Sequence, residues 1–171
     1  MIGRILVALL FGAVVFGAAV AAVQQPTLVA ATDSGDELFV TPVEDGDELI
    51  LEYTHSVEQT TVRDVYVVDG DELVTDRTEF KSFGAGLPTE SVHRDGDWYI
   101  HEPPDQRHET VIVSTGSVAE QQLVVGEQRY NLTDRSDGGR VVLRIETRTN
   151  PSIASVTPSK AGQLPATEIA G

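Results

Sequence analysis

DELILEYTHSVEQTTVRDVYVVDGDELVTDRTEF, residues 47–80, decides the fold class. Apolar and polar residues alternate along most of it, and Asp69-Gly70 interrupts the alternation. A period of two puts one side of each segment on a core and the other in water, which is strand patterning. Asp-Gly supplies the positive φ angles of a two-residue hairpin turn, so the stretch reads as an antiparallel meander.

Hairpin geometry then places the side chains. A turn at Glu58-Gln59 pairs Val57 with Thr60, His55 with Val62, Tyr53 with Asp64 and Leu51 with Tyr66. The Asp69-Gly70 turn pairs Tyr66 with Leu73, Asp64 with Thr75, Val62 with Arg77 and Thr60 with Glu79. Directly opposed side chains share a face. One face is therefore apolar at Leu49, Leu51, Tyr66 and Leu73, and gathers Tyr53, His55, Asp64, Arg77 and Glu79 at its other end. The last strand runs on into Gly84-Ala85-Gly86-Leu87-Pro88. Two readings stay open. The group is a ligand pocket in which Asp64 orients His55, Arg77 supplies a cation, and Gly84 and Gly86 let backbone approach the ligand. Alternatively it is an internal network with Arg77 paired to Asp64 or Glu79. A one-residue slip would turn every side chain to the opposite face.

Outward from the meander, Asp-Gly recurs at Asp45-Gly46 and Asp95-Gly96, with Ser34-Gly35-Asp36 as a variant. None of these has the ligand spacing of a calcium loop, so they read as turns. Strands are expected at 27–31, 37–43, 47–57, 60–69, 72–81, 97–101, 109–115, 121–125, 127–132 and 140–147. Pro42 marks its strand as an edge or a break. No helical period appears after Val23, so the expected fold is all-β: an antiparallel β-sandwich or partly closed barrel, preceded by one N-terminal hydrophobic helix.

That helix is Ile5–Val23, an uncharged run of 19 residues behind Arg4. At about 1.5 Å per residue it matches the hydrocarbon thickness of a bilayer. The cation on its near side puts everything after it outside the cell membrane. Residues 1–26 are thus a retained signal-anchor in membrane lipid, or a signal peptide cut near Ala19-Val20-Ala21. Residues 27–148 form the β-domain. From Thr149 to Gly171 the chain is rich in Pro, Ser, Thr, Ala and Gly and reads as a disordered tail. Asn131-Leu132-Thr133 is a glycosylation sequon.

Charge and composition exclude several roles. The chain has 27 Asp+Glu against 12 Lys+Arg, a net charge of −15, and no cysteine. Nucleic acid and anionic headgroups are repelled. Disulfides, Cys ligands and a Cys nucleophile are ruled out. The acids are scattered along the chain, as in proteins adapted to molar salt, where the Debye length is about 3 Å. No catalytic set is expected: neighbouring strand residues His55 and Ser56 point to opposite faces and cannot pair. Gly84-Ala85-Gly86 lacks the spacing of a phosphate loop. His93, His101, His108, Glu102 and Glu109 lack a zinc-ligand pattern. No cofactor or metal is expected.

Two stretches carry a family resemblance: Tyr53-Thr54-His55-Ser56-Val57-Glu58 with the acid Asp64, and Phe80-Lys81-Ser82-Phe83-Gly84-Ala85-Gly86-Leu87-Pro88. Together they resemble the DUF1850 family, with its His-Ser-Val motif, a later acid, and Gly-Ala-Gly-(Leu/Met)-Pro after an aromatic residue. Asp64 stands where that pattern would carry Glu. The resemblance covers about 47–147. It implies a small exported or membrane-linked domain, associated with TAXI-type TRAP (tripartite ATP-independent periplasmic) transporters and their solute receptors. It assigns no residue a role. The expected function is a non-enzymatic extracytoplasmic accessory domain. The alternative is a small-ligand or anion-binding module using His55, Arg77 and Gly84–Gly86.

Overall fold

The computed structural model describes residues 24–116 and 119–149. Two antiparallel sheets enclose one apolar core. The first has the order β2-β1-β12-β9: β2 (Glu37–Pro42), β1 (Gln24–Thr32), β12 (Arg140–Thr149) and β9 (Val111–Ser114). The second has the order β11-β10-β3-β4-β5-β7-β6. Its strands are β11 (Gln128–Asn131), β10 (Gln122–Val125), β3 (Glu48–Thr54), β4 (Thr61–Asp69), β5 (Glu72–Phe80), β7 (Trp98–His101) and β6 (Val92–Asp95). A short β8 (Gln106–His108) also pairs with β5, and α1 (Leu132–Arg135) is a single helical turn.

The core takes alternate residues from both sheets. Leu28 and Ala30 of β1 and Val141, Leu143 and Ile145 of β12 meet Leu49, Leu51, Val68, Leu73 and Leu123. Phe39 of β2 stacks on Tyr130 of β11 with centroids 3.9 Å apart, joining one edge of each sheet. The all-β expectation holds as two open sheets, not a closed barrel. Pro42 ends an edge strand, where its missing N–H costs no ladder bond.

Three expectations need correction. First, 47–57 is not one strand: β3 ends at Thr54, and residues 55–60 form a loop closed by His55 N–H to Thr60 O and Gln59 N–H to His55 O, each at 2.9 Å. Second, the register of the meander moves. Leu51 lies opposite Asp64 and Tyr53 opposite Val62, two residues from the expected pairing, which leaves the faces of β3 and β4 unchanged. Third, β4 and β5 change register between Val65 and Tyr66, leaving Asp76 without a partner. This β-bulge exchanges the faces of β5 beyond Thr75. Arg77 therefore lies opposite Val65 and Glu79 opposite Arg63, on the outer face, away from Asp64.

β6, β8 and α1 were not expected. The N-terminal run Ile5–Val23 and the tail from residue 150 lie outside the described residues. β1 begins at Gln24 and β12 reaches Thr149, so the sheet extends slightly past both expected boundaries. Among the described residues no helix is long and apolar enough to cross a membrane.

Candidate functional site

Register sorts the seven expected site residues into three places. Tyr53 and Asp64 keep the core-facing side of the second sheet. Across β4, β5 and β7 the row runs Asp64, Thr78, His101, while Tyr66 faces Thr75 in the next row. Thr78 Oγ1 donates to Asp64 Oδ1 at 2.9 Å. The Tyr53 phenol is near enough to the same carboxylate to favour its charged form. Burial pushes the Asp64 carboxyl up, against the two hydroxyl donors that hold it down. Burial, reinforced by the Asp64 charge, raises the Tyr53 phenol and pushes Tyr66 up to about 12. His108 Nε2 lies 2.9 Å from Thr75 Oγ1, and its ring meets Tyr66 edge-on at 6.1 Å.

His55, Gly84 and Gly86 form the second place, where the two sequence motifs meet. His55 is only 8% exposed although it begins a surface loop. Its Nδ1 accepts the backbone N–H of Glu58 at 3.1 Å and of Val57 at 3.3 Å. Two donors on Nδ1 fix the proton on Nε2, which donates to Ala85 O at 3.1 Å. Ser82 Oγ donates to Glu58 Oε2 at 3.0 Å, a second tie between the loops. Gly84 packs directly against the imidazole: a Cβ there would fall 2.7 Å from His55 Cε1 and 2.8 Å from Glu58 Cγ. Leu87 N–H closes a turn onto Gly84 O, with Gly86 at φ +87°. The segment after β5 also folds back, so that Phe83 packs on Phe80 and Tyr99 with centroids 5.2 and 4.5 Å away. Two large apolar side chains are left exposed on the clamped loops, Val57 at 69% and Phe83 at 45%.

Arg77 and Glu79 form the third place. On the outer face Arg77 bonds Glu79 at 2.7 Å, Glu48 at 2.8 Å and Asp76 at 2.5 Å. Its guanidinium is held well above its ordinary range, first by Glu48. Arg63 bonds Glu52 at 2.9 Å and reaches Glu79 at 3.6 Å, and Arg129 reaches Glu52 at 3.1 Å.

The chemistry follows from these partners. Both ring nitrogens of His55 are engaged by backbone, so neither is available as a general base for Ser56. Ser56 sits in the turn that follows β3, so its separation from that role comes from the use of His55, not from strand alternation. Arg77 does not join His55 and the glycines, which removes the cation from the expected anion site. His101 Nδ1 goes to Glu90 O at 3.1 Å and His108 to Thr75, separate partners in separate places. Asn131 caps α1: its Oδ1 accepts from Asp134 N–H at 3.0 Å, and its Nδ2, the atom a glycan would occupy, donates to Asp134 at 2.7 Å. Sequence reading missed Thr78, Ser82 and Phe83. Only the Phe80–Pro88 motif pointed toward the last two.

No curated protein and no solved structure matches the chain. A family model does match, over residues 49–132, from β3 to the start of α1 and including both clamped loops. By that match the chain carries, over residues 49–132, a member of the family described as Domain of unknown function (DUF1850).

Proposed function

We propose that the chain is a non-enzymatic extracytoplasmic accessory domain that docks on a TRAP-type (TAXI) solute importer or its receptor through the clamped loops 55–60 and 81–88. In this reading Ile5–Val23 carries the domain to the outer side of the cell membrane, as an anchor or as a signal peptide. The observation that carries the proposal is the clamp. The motif histidine, glycine and glutamate hold backbone in shape and leave Val57 and Phe83 facing solvent. Rigid loops with exposed apolar side chains suit protein contact, because little ordering entropy remains to be lost on binding. The loops also stand away from the chain entry. Val43 N–H bonds Pro26 O near the start of β1, and β3 then runs about 20 Å toward the far end of the sandwich.

The test is co-purification of the membrane-embedded chain with its transporter neighbours. A Val57→Asp, Phe83→Ser double variant should keep its circular dichroism and lose the transporter subunits. Equal recovery with wild type and variant would sink the docking surface, and failure of any transporter subunit to co-purify with wild type would sink the partner. The alternative, an anion site at His55, Arg77 and Gly84–Gly86, has weaker support, since Arg77 bonds three carboxylates on the outer face.

A further inference from the structure

The core-facing side of β4 carries, in order, Val68, Tyr66, Asp64 and Val62. Val68 belongs to the main core, while Val62 lies opposite Phe80, which packs with Phe83 and Tyr99 in a second apolar group. A polar band separates the two: Asp64, Thr78 and His101 in one row, with Tyr53 and Tyr66 to either side along the strands. The apolar residues bounding the band on β4 are fully buried, yet all five of these polar side chains are only half-buried. Part of each meets solvent, although the Tyr53 and Tyr66 rings also pack against the main core.

Asp64 is the unusual member. On the same three strands Glu48, Glu52 and Glu79 each have an arginine within 4.0 Å. Among the described residues no lysine, arginine or histidine comes that close to Asp64, whose side-chain hydrogen-bond partner is the Thr78 hydroxyl, with the Tyr53 phenol nearby. A half-buried carboxylate without a counter-charge is costly to keep, and an asparagine would accept from the same hydroxyls without the charge.

We propose that this band is a binding site for a small organic cation, an amine or guanidinium, with Asp64 as counter-charge and the Tyr53 and Tyr66 rings as its aromatic flank. A carboxylate between aromatic rings matches such a ligand twice over: an ion pair strengthened by partial burial, and attraction of the cation to the ring faces. Thr78 holds the carboxylate in place before the ligand arrives. The net charge of −15 raises the local concentration of cations and disfavours anions. The site lies on the face opposite Arg77 and is independent of any docking by the clamped loops.

The experiment is titration of the full chain with putrescine, arginine amide and tetramethylammonium, followed by calorimetry, with glutamate as anionic control. It is run in high salt, where attraction to the general acidic surface is screened and a partly buried pair is screened much less. At least one cation should bind saturably with one-to-one stoichiometry. Asp64→Asn should weaken that binding at least about tenfold while the melting temperature holds or rises. Tyr66→Ala should weaken it too, and Asp76→Asn on the outer face should leave it unchanged. Equal affinity in wild type and Asp64→Asn, saturable glutamate binding, or no saturable binding of any cation would each overturn the proposal.

Discussion

Two parts of the second sheet use polar side chains in opposite ways. On the outer face Arg63, Arg77 and Arg129 are matched by Glu48, Glu52, Asp76 and Glu79 in a lattice of ion pairs that is half-buried at Arg77, Glu79 and Glu52 and exposed at its margin. At the clamped loops a single neutral histidine, almost out of water, satisfies three backbone groups. The lattice has more contacts, but every pair keeps some contact with solvent and the marginal ones are screened, so each adds less than a fully buried bond. The clamp has few, but they centre on one buried side chain, and removing it leaves three part-buried backbone groups without that partner. Local rigidity should therefore reside in the clamp, and sensitivity to salt in the lattice.

The sharpest way to break that contrast is at the clamp. His55→Ala would strand the N–H groups of Val57 and Glu58 and the Ala85 carbonyl, and should cost about 2–4 kcal/mol. Gly84→Ala reaches the same junction from the other side, because its Cβ meets the imidazole and the Glu58 stem. A cost of about 1–3 kcal/mol is expected. Chemical denaturation in low and in molar salt checks both: the losses should be nearly the same in each. A loss from His55→Ala below that of a single surface pair would show that the loops are held by something else.

Asp64 gives the next effect, with a sign that separates it from the lattice acids. Its carboxyl is raised by burial, whereas the Glu52 carboxyl, despite a burial contribution in the same direction, is lowered by Arg63 and Arg129. For an acid raised in the folded state, stability falls as pH climbs from the unfolded value, about 3.9, through the raised folded one, and is constant above. Asp64→Asn lacks that loss. The variant should gain on wild type with rising pH and be more stable at pH 7 by about 0.5–1.5 kcal/mol. Glu52→Gln should do the reverse, its deficit growing as pH climbs from the lowered folded pKa to the unfolded one and staying constant above it. Denaturation midpoints for both variants at pH 4 and pH 7 decide the matter, and a gap for Asp64→Asn that is the same at both pH values counts against it.

The sequence reading reached the sandwich because alternation survives any even change of register. Moving the β3–β4 pairing by two residues left Leu49, Leu51, Tyr53, Asp64 and Tyr66 on one face, as expected. An odd change does not survive. The bulge at Asp76 exchanged Arg77 and Glu79 with Thr78, and nothing in Thr75-Asp76-Arg77 signals it: no glycine, no proline, no break in polarity. The His55 loop was hidden for another reason. Two-residue turns are the commonest hairpin connection, and a six-residue loop depends on a backbone carbonyl thirty positions away, at Ala85. The two halves of the clamp were legible as motifs, but their contact was not, because no local pattern encodes a tertiary hydrogen bond.

The smallest effect is expected in the lattice, and it carries the contrast furthest. Arg77→Ala removes the shared partner of Glu48, Asp76 and Glu79 and takes the net charge from −15 to −16. The three carboxylates then repel one another, so the cost at low salt should reach about 1 kcal/mol, the upper end for exposed pairs. Salt acts on wild type and variant in the same direction, because both carry an excess of like charge that screening relieves. It relieves the variant more. In molar salt, with a Debye length of about 3 Å, the difference should shrink to a few tenths of a kcal/mol. Paired melting curves across salt concentration read this directly. A difference that stays constant while the wild-type melting temperature rises would mean that Arg77 acts by covering Val65 with its aliphatic stem, and the outer face would then resemble the clamp more than it differs from it.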